Sequence, residues 1–220
     1  MLLVVSACGD KEDEAEETQT PEPVEISEEE LVDDKEVVAT VNETEILGSQ
    51  YNPAYRERKE LENFNVESAK DIETDKVKEI TLEGLIGQEL INQESKKLDI
   101  EVTDEEVQEE VEILESQEGD VLASLLEQFD WTQEDLEAQI RQDLTNNRYI
   151  EKTIDVEVTD EEAKKEYERV KEETEDKETV PDYDEVADNV KLQMTQQKQN
   201  EELQKHIDKF KEEADIETLI

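Results

Sequence analysis

The chain is poor in the residues that most reactive sites need. It has one cysteine, Cys8, so no intrachain disulfide can form. It has one histidine, His206, which removes Cys/His triads, zinc clusters and His-based dyads from consideration. Only five glycines and four prolines occur in 220 residues, too few for an all-β fold built on tight turns. Cations are also scarce: 23 Lys and Arg stand against 68 Asp and Glu, for a net charge of −45. Such a surface repels phosphates, so nucleic acid is excluded as a partner. It also repels itself, and salt relieves that repulsion. No calcium loop fits: Asp182-Tyr183-Asp184 starts like one, but Ala187 stands where the turn needs glycine. No metal site and no cofactor are expected.

What is present is helical periodicity. Glu79–Val107 is the organising stretch, with Val77, Ile80, Leu85, Ile86, Leu90 and Ile91 on one apolar stripe. The spacing predicts a helix from about Thr74 to Leu98, a short extended link, and a restart at Thr103-Asp104-Glu105-Glu106. There Thr103 and Glu106 can form a capping box. Gly84 and Gly87 lie inside the long helix, where close approach of another helix would compensate their cost.

The order along the chain suggests a tether and a domain. Met1 to Cys8 is an apolar run ending in Val5-Ser6-Ala7-Cys8, which looks like a bacterial lipobox with Cys8 as the lipidated residue. No Lys or Arg precedes it, so residues 1–8 read as a truncated signal peptide. Residues 9–35 read as an acidic disordered spacer, and residues 36–220 as the folded domain. Within that domain, Val37–Val41 predicts a strand, returning through a turn at Asn42 to Glu45. A helix over about 50–62 carries Tyr51, Tyr55 and Leu61 inward. A helix over 104–116 is broken at Glu118-Gly119-Asp120. A short apolar helix over 121–129 follows, then one from Gln133 to about Ile150. Val158-Thr159-Asp160-Glu161-Glu162 repeats Val102-Thr103-Asp104-Glu105-Glu106, a reused helix-start signal. The helix it opens carries Ala163, Tyr167 and Val170 inward. The last helix, 181–214, has one apolar stripe at each end and a polar middle, so it reads as a strut docked at both ends. Ile216–Ile220 could add a strand to the hairpin, and His206 sits at a core edge.

Val38-Ala39-Thr40-Val41-Asn42-Glu43-Thr44-Glu45-Ile46 resembles the hairpin of the SurA N-terminal domain family. Leu85–Asp104 resembles that family's helix-and-capping-box signature, with Ser95 where the family often has Ala. The lipobox, spacer and final helix resemble the PrsA-like foldase lipoproteins of Gram-positive bacteria. The resemblance implies a mainly α, SurA/PrsA-like chaperone fold with a small β-hairpin and a long C-terminal helix. It also implies a departure. The parvulin prolyl-isomerase module of these relatives is missing at about residues 173–180, so no enzyme activity is expected.

The function implied is an ATP-independent, extracytoplasmic chaperone, anchored to the outer face of the cell membrane through Cys8. Its partners would be unfolded or nascent secreted polypeptides. Leu122, Leu125, Phe129, Trp131 and Tyr149 are the candidate client-binding residues, as some of the surplus apolar side chains near 121–131. The alternatives are a structural or adaptor lipoprotein for one envelope partner and a remnant peptidyl-prolyl isomerase. Some relatives dimerise, so a homodimer stays open.

Overall fold

The computed structural model describes residues 24–63, 72–174 and 179–220. Cys8, the lipobox and most of the acidic spacer lie outside the described residues. The elements run β1 (Val37–Val41), β2 (Thr44–Leu47), α1 (Gly48–Asn63), α2 (Thr74–Lys97), α3 (Asp104–Phe129), α4 (Gln133–Thr153), α5 (Asp160–Glu173), α6 (Tyr183–Glu213) and β3 (Ile216–Thr218). The sheet order is β2-β1-β3, antiparallel throughout. The fold is mainly α with a small sheet and a long C-terminal helix, as the sequence predicts.

The α2 stripe is the centre of the core. Val77, Leu85, Ile86, Leu90 and Ile91 are buried, joined by Leu82; Ile80 is only half-buried. One cluster joins this face to Val38, Val41 and Ile46 of the hairpin and to Tyr51 and Tyr55 of α1. A second holds α3 to α4 through Val107, Val111, Leu136 and Ile140. A third, Ile91, Ile100 and Tyr149, links α2 to α4 and receives Leu203, Ile207 and Phe210 of α6.

A chain short of glycine must make its sharp turns with other residues. Asn42, Asp99 and Asp130 take the left-handed conformation, with φ of 57°, 53° and 51°. Asn and Asp tolerate it better than other non-glycine residues, because their short polar side chains bond locally. Asp99 closes α2: its N–H donates to the Lys96 carbonyl (3.2 Å), and the Ile100 N–H donates to Ser95 (2.9 Å). Those are the two bonds of a Schellman motif. Asp130 closes α3 in the same way, with Trp131 N–H on the Leu126 carbonyl at 2.9 Å. At the hairpin tip, Asn42 donates from Nδ2 to Gln93 of α2 (2.7 Å) and accepts at Oδ1 from the Asp215 N–H (3.1 Å). One side chain thus ties the sheet to α2 and to the end of α6.

The repeated Val-Thr-Asp-Glu-Glu segments form capping boxes at Thr103/Glu106 and Thr159/Glu162, and Thr132/Asp135 forms a third. The repeat does more than start helices. Asp104 pairs with Arg141 (2.7 Å) and Glu106 with Arg148, both on α4. Asp160 pairs with Lys191, and Glu162 with Lys198 (2.8 Å), both on α6. In each case the receiving cations stand seven residues apart, two turns along one helix face. Arg148 first, then the Thr103 N–H and hydroxyl, hold the Glu106 carboxyl down at about 2; Lys198 and Thr159 do the same for Glu162.

The strut expectation for α6 holds. None of its residues is buried. Its first half lies on α5, where the Tyr167 and Tyr183 rings are 5.4 Å apart and the Tyr167 hydroxyl donates to the Pro181 carbonyl (2.6 Å). Its second half docks on α2 and α4, and the His206 ring meets the Tyr149 hydroxyl at 2.9 Å. Residues 174–182 join α5 to α6, a link too short to hold a separate domain.

Five expectations need correction. The spacer does not extend to Lys35: Ile26, Leu31 and Val32 pack on the first core cluster. They were hidden by the acidic residues between them. The polar residues of that segment are also anchored. Glu30 accepts from the Tyr55 hydroxyl (2.6 Å), from Lys59, and from the Ser27 N–H and hydroxyl (both 2.9 Å). Asn52 bonds both backbone groups of Val32. Glycine is required at position 48, because a Cβ there would stand 2.1 Å from the Asp33 carbonyl oxygen. Secondly, Leu61 and Val170 are exposed, at 39% and 45%, since each falls on the outer side of its helix. Thirdly, the 118–120 break is a kink at Glu118 (φ −137°, ψ 28°) within a continuing α3, because the apolar face resumes at Leu122. Fourthly, only Gly87 meets another helix, with Ile207 Cγ2 3.4 Å from a Cβ placed there; Gly84 faces open space. Fifthly, the return strand begins at Thr44, so the turn is shorter than the span Asn42 to Glu45.

Two stability outcomes follow from this packing. Glu30→Ala leaves the Lys59 ammonium, whose side chain is 7% exposed, without its counter-charge and with only the Glu25 carbonyl to donate to among the described residues, and should destabilise the fold by about 3 kcal/mol in urea titration. Gly84→Ala should stabilise it by about 1 kcal/mol in the same assay, from helix propensity alone. Gly87→Ala should gain at least as much, because a Cβ there would also make ordinary van der Waals contact with Ile207.

Candidate functional site

Five elements leave a cleft between them. One wall is the outer face of α1, with Ser49, Pro53, Ala54 and Glu57. The floor is α2, with Leu85, Gln88, Asn92 and Ser95, and the far wall is α4, with Ala138, Gln139, Arg141 and Gln142. The link Ile100–Thr103 closes one side, and Trp131 stands at the α3–α4 corner. The volume is about 690 Å³, large enough for several side chains of an extended peptide.

Each wall is held in place by local chemistry. The left-handed Asp130 and the Thr132 capping box fix Trp131 between them. Its indole N–H donates to the Pro53 carbonyl at 3.3 Å, and its ring lies 5.3 Å from Phe129. Arg141 donates to the Val102 carbonyl (3.0 Å) and Arg148 to that of Glu101, so the link is pinned to α4. The cleft therefore survives as a gap between braced helices.

The lining is mixed, and two of its polar groups are unsatisfied. Ser95 is 1% exposed, and its Oγ has no hydrogen-bond partner among the described residues. An unpaired buried hydroxyl costs about 1–3 kcal/mol. Glu57 is half-buried and has no hydrogen-bonded partner among the described residues. Burial pushes its carboxyl up from the usual range, and the Asp143 carboxylate adds to this against the pull of Arg58. Pro53 contributes a third polar feature. Lacking an N–H, it leaves the Ser49 carbonyl, one turn back on the same wall, without its helical donor.

Of the five client-binding candidates, only Trp131 lines the cleft. Phe129 supports it from behind. Leu122 packs on the α3–α4 cluster, and Leu125 is 40% exposed on the outer side of α3. Tyr149 is corrected: it is 2% exposed and occupied with His206, so it is core. Glu57, Ser49 and the α4 lining were not singled out from the sequence. Ser95 carried a signal, as a polar residue in the register of the buried stripe, four after Ile91.

The fold and the cleft agree with what comparison of the sequence shows. Residues 27–150 match the family model of the SurA-like N-terminal domain, and the chain belongs to that family. Among curated proteins it is similar to the Foldase protein PrsA of Caldanaerobacter subterraneus subsp. tengcongensis, at 35% identity over 147 residues. That alignment covers 62% of this chain and 44% of the relative, so the chain spans less than half of that protein's length. The matched region begins at residue 27, within the segment that the structure packs against α1. Among the described residues, no helix is long and apolar enough to cross a membrane, and no cluster of ligating side chains could hold a metal ion.

The cost of keeping Glu57 ionised gives a pH-dependent outcome. Its folded pKa is raised, so the ionised form opposes folding at pH above that value; the penalty is lost as pH falls through the folded pKa and is gone below the unfolded value near 4.5. Glu57→Gln should therefore melt at a higher temperature than the parent chain at pH 7. The two should converge near pH 4, as followed by circular dichroism.

Proposed function

We propose that this protein is an extracytoplasmic chaperone that holds extended segments of unfolded secreted polypeptides in the cleft between α1, α2 and α4. The observation that carries the reading is the cleft itself, an open space with both apolar and unsatisfied polar lining, braced on all sides. Membership of the SurA-like N-terminal family and similarity to a foldase support it. Binding uses no ATP and no covalent step. Leu85, Ala54 and Trp131 offer apolar contact, while amide and hydroxyl groups suit a peptide backbone of any sequence. The net charge of −45 keeps chaperone and client dispersed. Lipid attachment at Cys8, followed by the acidic stretch, would hold the domain close to the membrane where chains emerge.

A second reading, an adaptor for one envelope partner, draws on a different surface. Ile113, Val121 and Leu125 are 44%, 54% and 40% exposed on α3, away from the cleft. A second copy of the chain is one such partner.

The test is suppression of aggregation of an unrelated unfolded protein, without ATP, at low and high salt. The parent chain should suppress at equal or lower molar ratio. Ala138→Trp, which fills the cleft from an exposed position on α4, should weaken suppression by roughly tenfold, about 1.4 kcal/mol. Full suppression by this variant would move the client site to α3, and no suppression by the folded parent would favour the adaptor.

A further inference from the structure

The cleft is not evenly lined. On the α1 wall, Pro53, Ala54 and Glu57 share one face, and Ser49 lies one turn before Pro53. That wall offers two acceptors, the Glu57 carboxylate and the Ser49 carbonyl that Pro53 leaves without its helical donor, beside the Ser49 hydroxyl and the Gln50 amide. Two cations line the cleft, Lys96 and Arg141, and neither is among the charges that act on the Glu57 carboxyl. Arg141 is held by Asp104 and the Val102 carbonyl. Glu89 accepts from Gln93, and Asp135 is used in the Thr132 capping box, so two other carboxylates of the lining are also engaged. Of the remaining two, Glu101 is exposed to water, whereas Glu57 is half-buried with no hydrogen bond to its carboxylate among the described residues. Beneath the floor, the Ser95 hydroxyl is a second polar group without a hydrogen-bond partner among the described residues.

We infer that the cleft selects client segments in which a lysine or arginine lies beside an apolar residue, with Glu57 receiving the cation and Trp131 and Leu85 the apolar side chain. The inference rests on the chaperone reading above and deepens it. A cation on Glu57 removes the cost of holding that carboxylate half-buried, as an opposite charge favours the ionised form. The cationic N–H groups also reach acceptors on the same wall, giving charge-assisted bonds. The apolar stem of lysine or arginine suits a wall that carries Pro53 and Ala54 beside Glu57. The −45 charge alone would attract any basic chain, but weakly and without position.

Trp131 is the chain's single tryptophan, so its fluorescence reports the cleft directly. The experiment titrates the full chain with three tryptophan-free extended peptides that differ at one central position between leucines: lysine, norleucine or glutamate. At moderate salt and pH 7 the lysine peptide should bind roughly tenfold more tightly than the norleucine peptide. Glu57→Gln should bring the two within about twofold. Glu112→Gln, an exposed change on α3, should leave the preference intact. Equal binding of lysine and norleucine peptides by the parent overturns the inference and leaves the cleft reading standing. A preference that persists in Glu57→Gln also overturns it and assigns selectivity to the general charge. If no peptide changes the Trp131 signal, both the inference and the cleft reading fall.

Discussion

Burial of the α2 stripe is the contact on which the remaining structure depends. Val77, Leu85, Ile86, Leu90 and Ile91 meet the hairpin, α1, α4 and the last third of α6 around one helix. With one third of its residues hydrophobic, the chain has little apolar surface to spare, so a central helix used from several sides is an economical arrangement. Its exit is equally determined. Asp99 turns the backbone through the left-handed region, Ile100 returns to the core, and Thr103 caps the next helix. These steps set the angle at which α3 leaves α2, and with it one end of the cleft.

Electrostatics is arranged by scarcity. With 23 cations against 68 acids, cations are few, and four of them sit where helices join. Arg141 and Arg148 receive the start of α3, and Lys191 and Lys198 receive the start of α5. The same five-residue segment therefore works twice as a cap and twice as a dock. Lys59 does comparable work in the interior, fixing Glu30 against α1. Burial alone would raise the Glu30 carboxyl. Lys59, Tyr55 and Ser27 outweigh it and bring the group to about 2. Against this background Glu57 differs: it is a half-buried carboxylate with no ion pair or hydrogen bond to its side chain among the described residues, and the pull of Arg58 does not offset its burial. Proteins keep groups of that kind mainly where function needs them.

Much of the fold was legible because local signals are strong here. The α2 boundaries, both Thr-Asp-Glu-Glu helix starts, the antiparallel hairpin and the two-ended docking of α6 all follow from periodicity and capping chemistry. The segment from Val24 to Lys35 was not legible. Its four apolar residues sit in an acidic run that has the composition of a disordered spacer, and only the buried polar groups of α1 reveal where it lies. The site was less legible than the fold. Trp131 stood out as a single large aromatic beside a helix start, but Tyr149 carried the same kind of signal and is core. Side-chain type does not say which face of a helix stays uncovered.

The sequence by itself determined the elements, their order and their caps, because these depend on residues near one another along the chain. It also determined the charge, and so the kind of partner that could approach. Only the tertiary structure decided which apolar residues are enclosed, that Glu57 and Ser95 share a cleft with Trp131, and that the repeated capping segments dock on cations two turns apart. Those outcomes depend on how helices cross, and crossing is set by contacts between residues far apart in sequence, where no local pattern can register them.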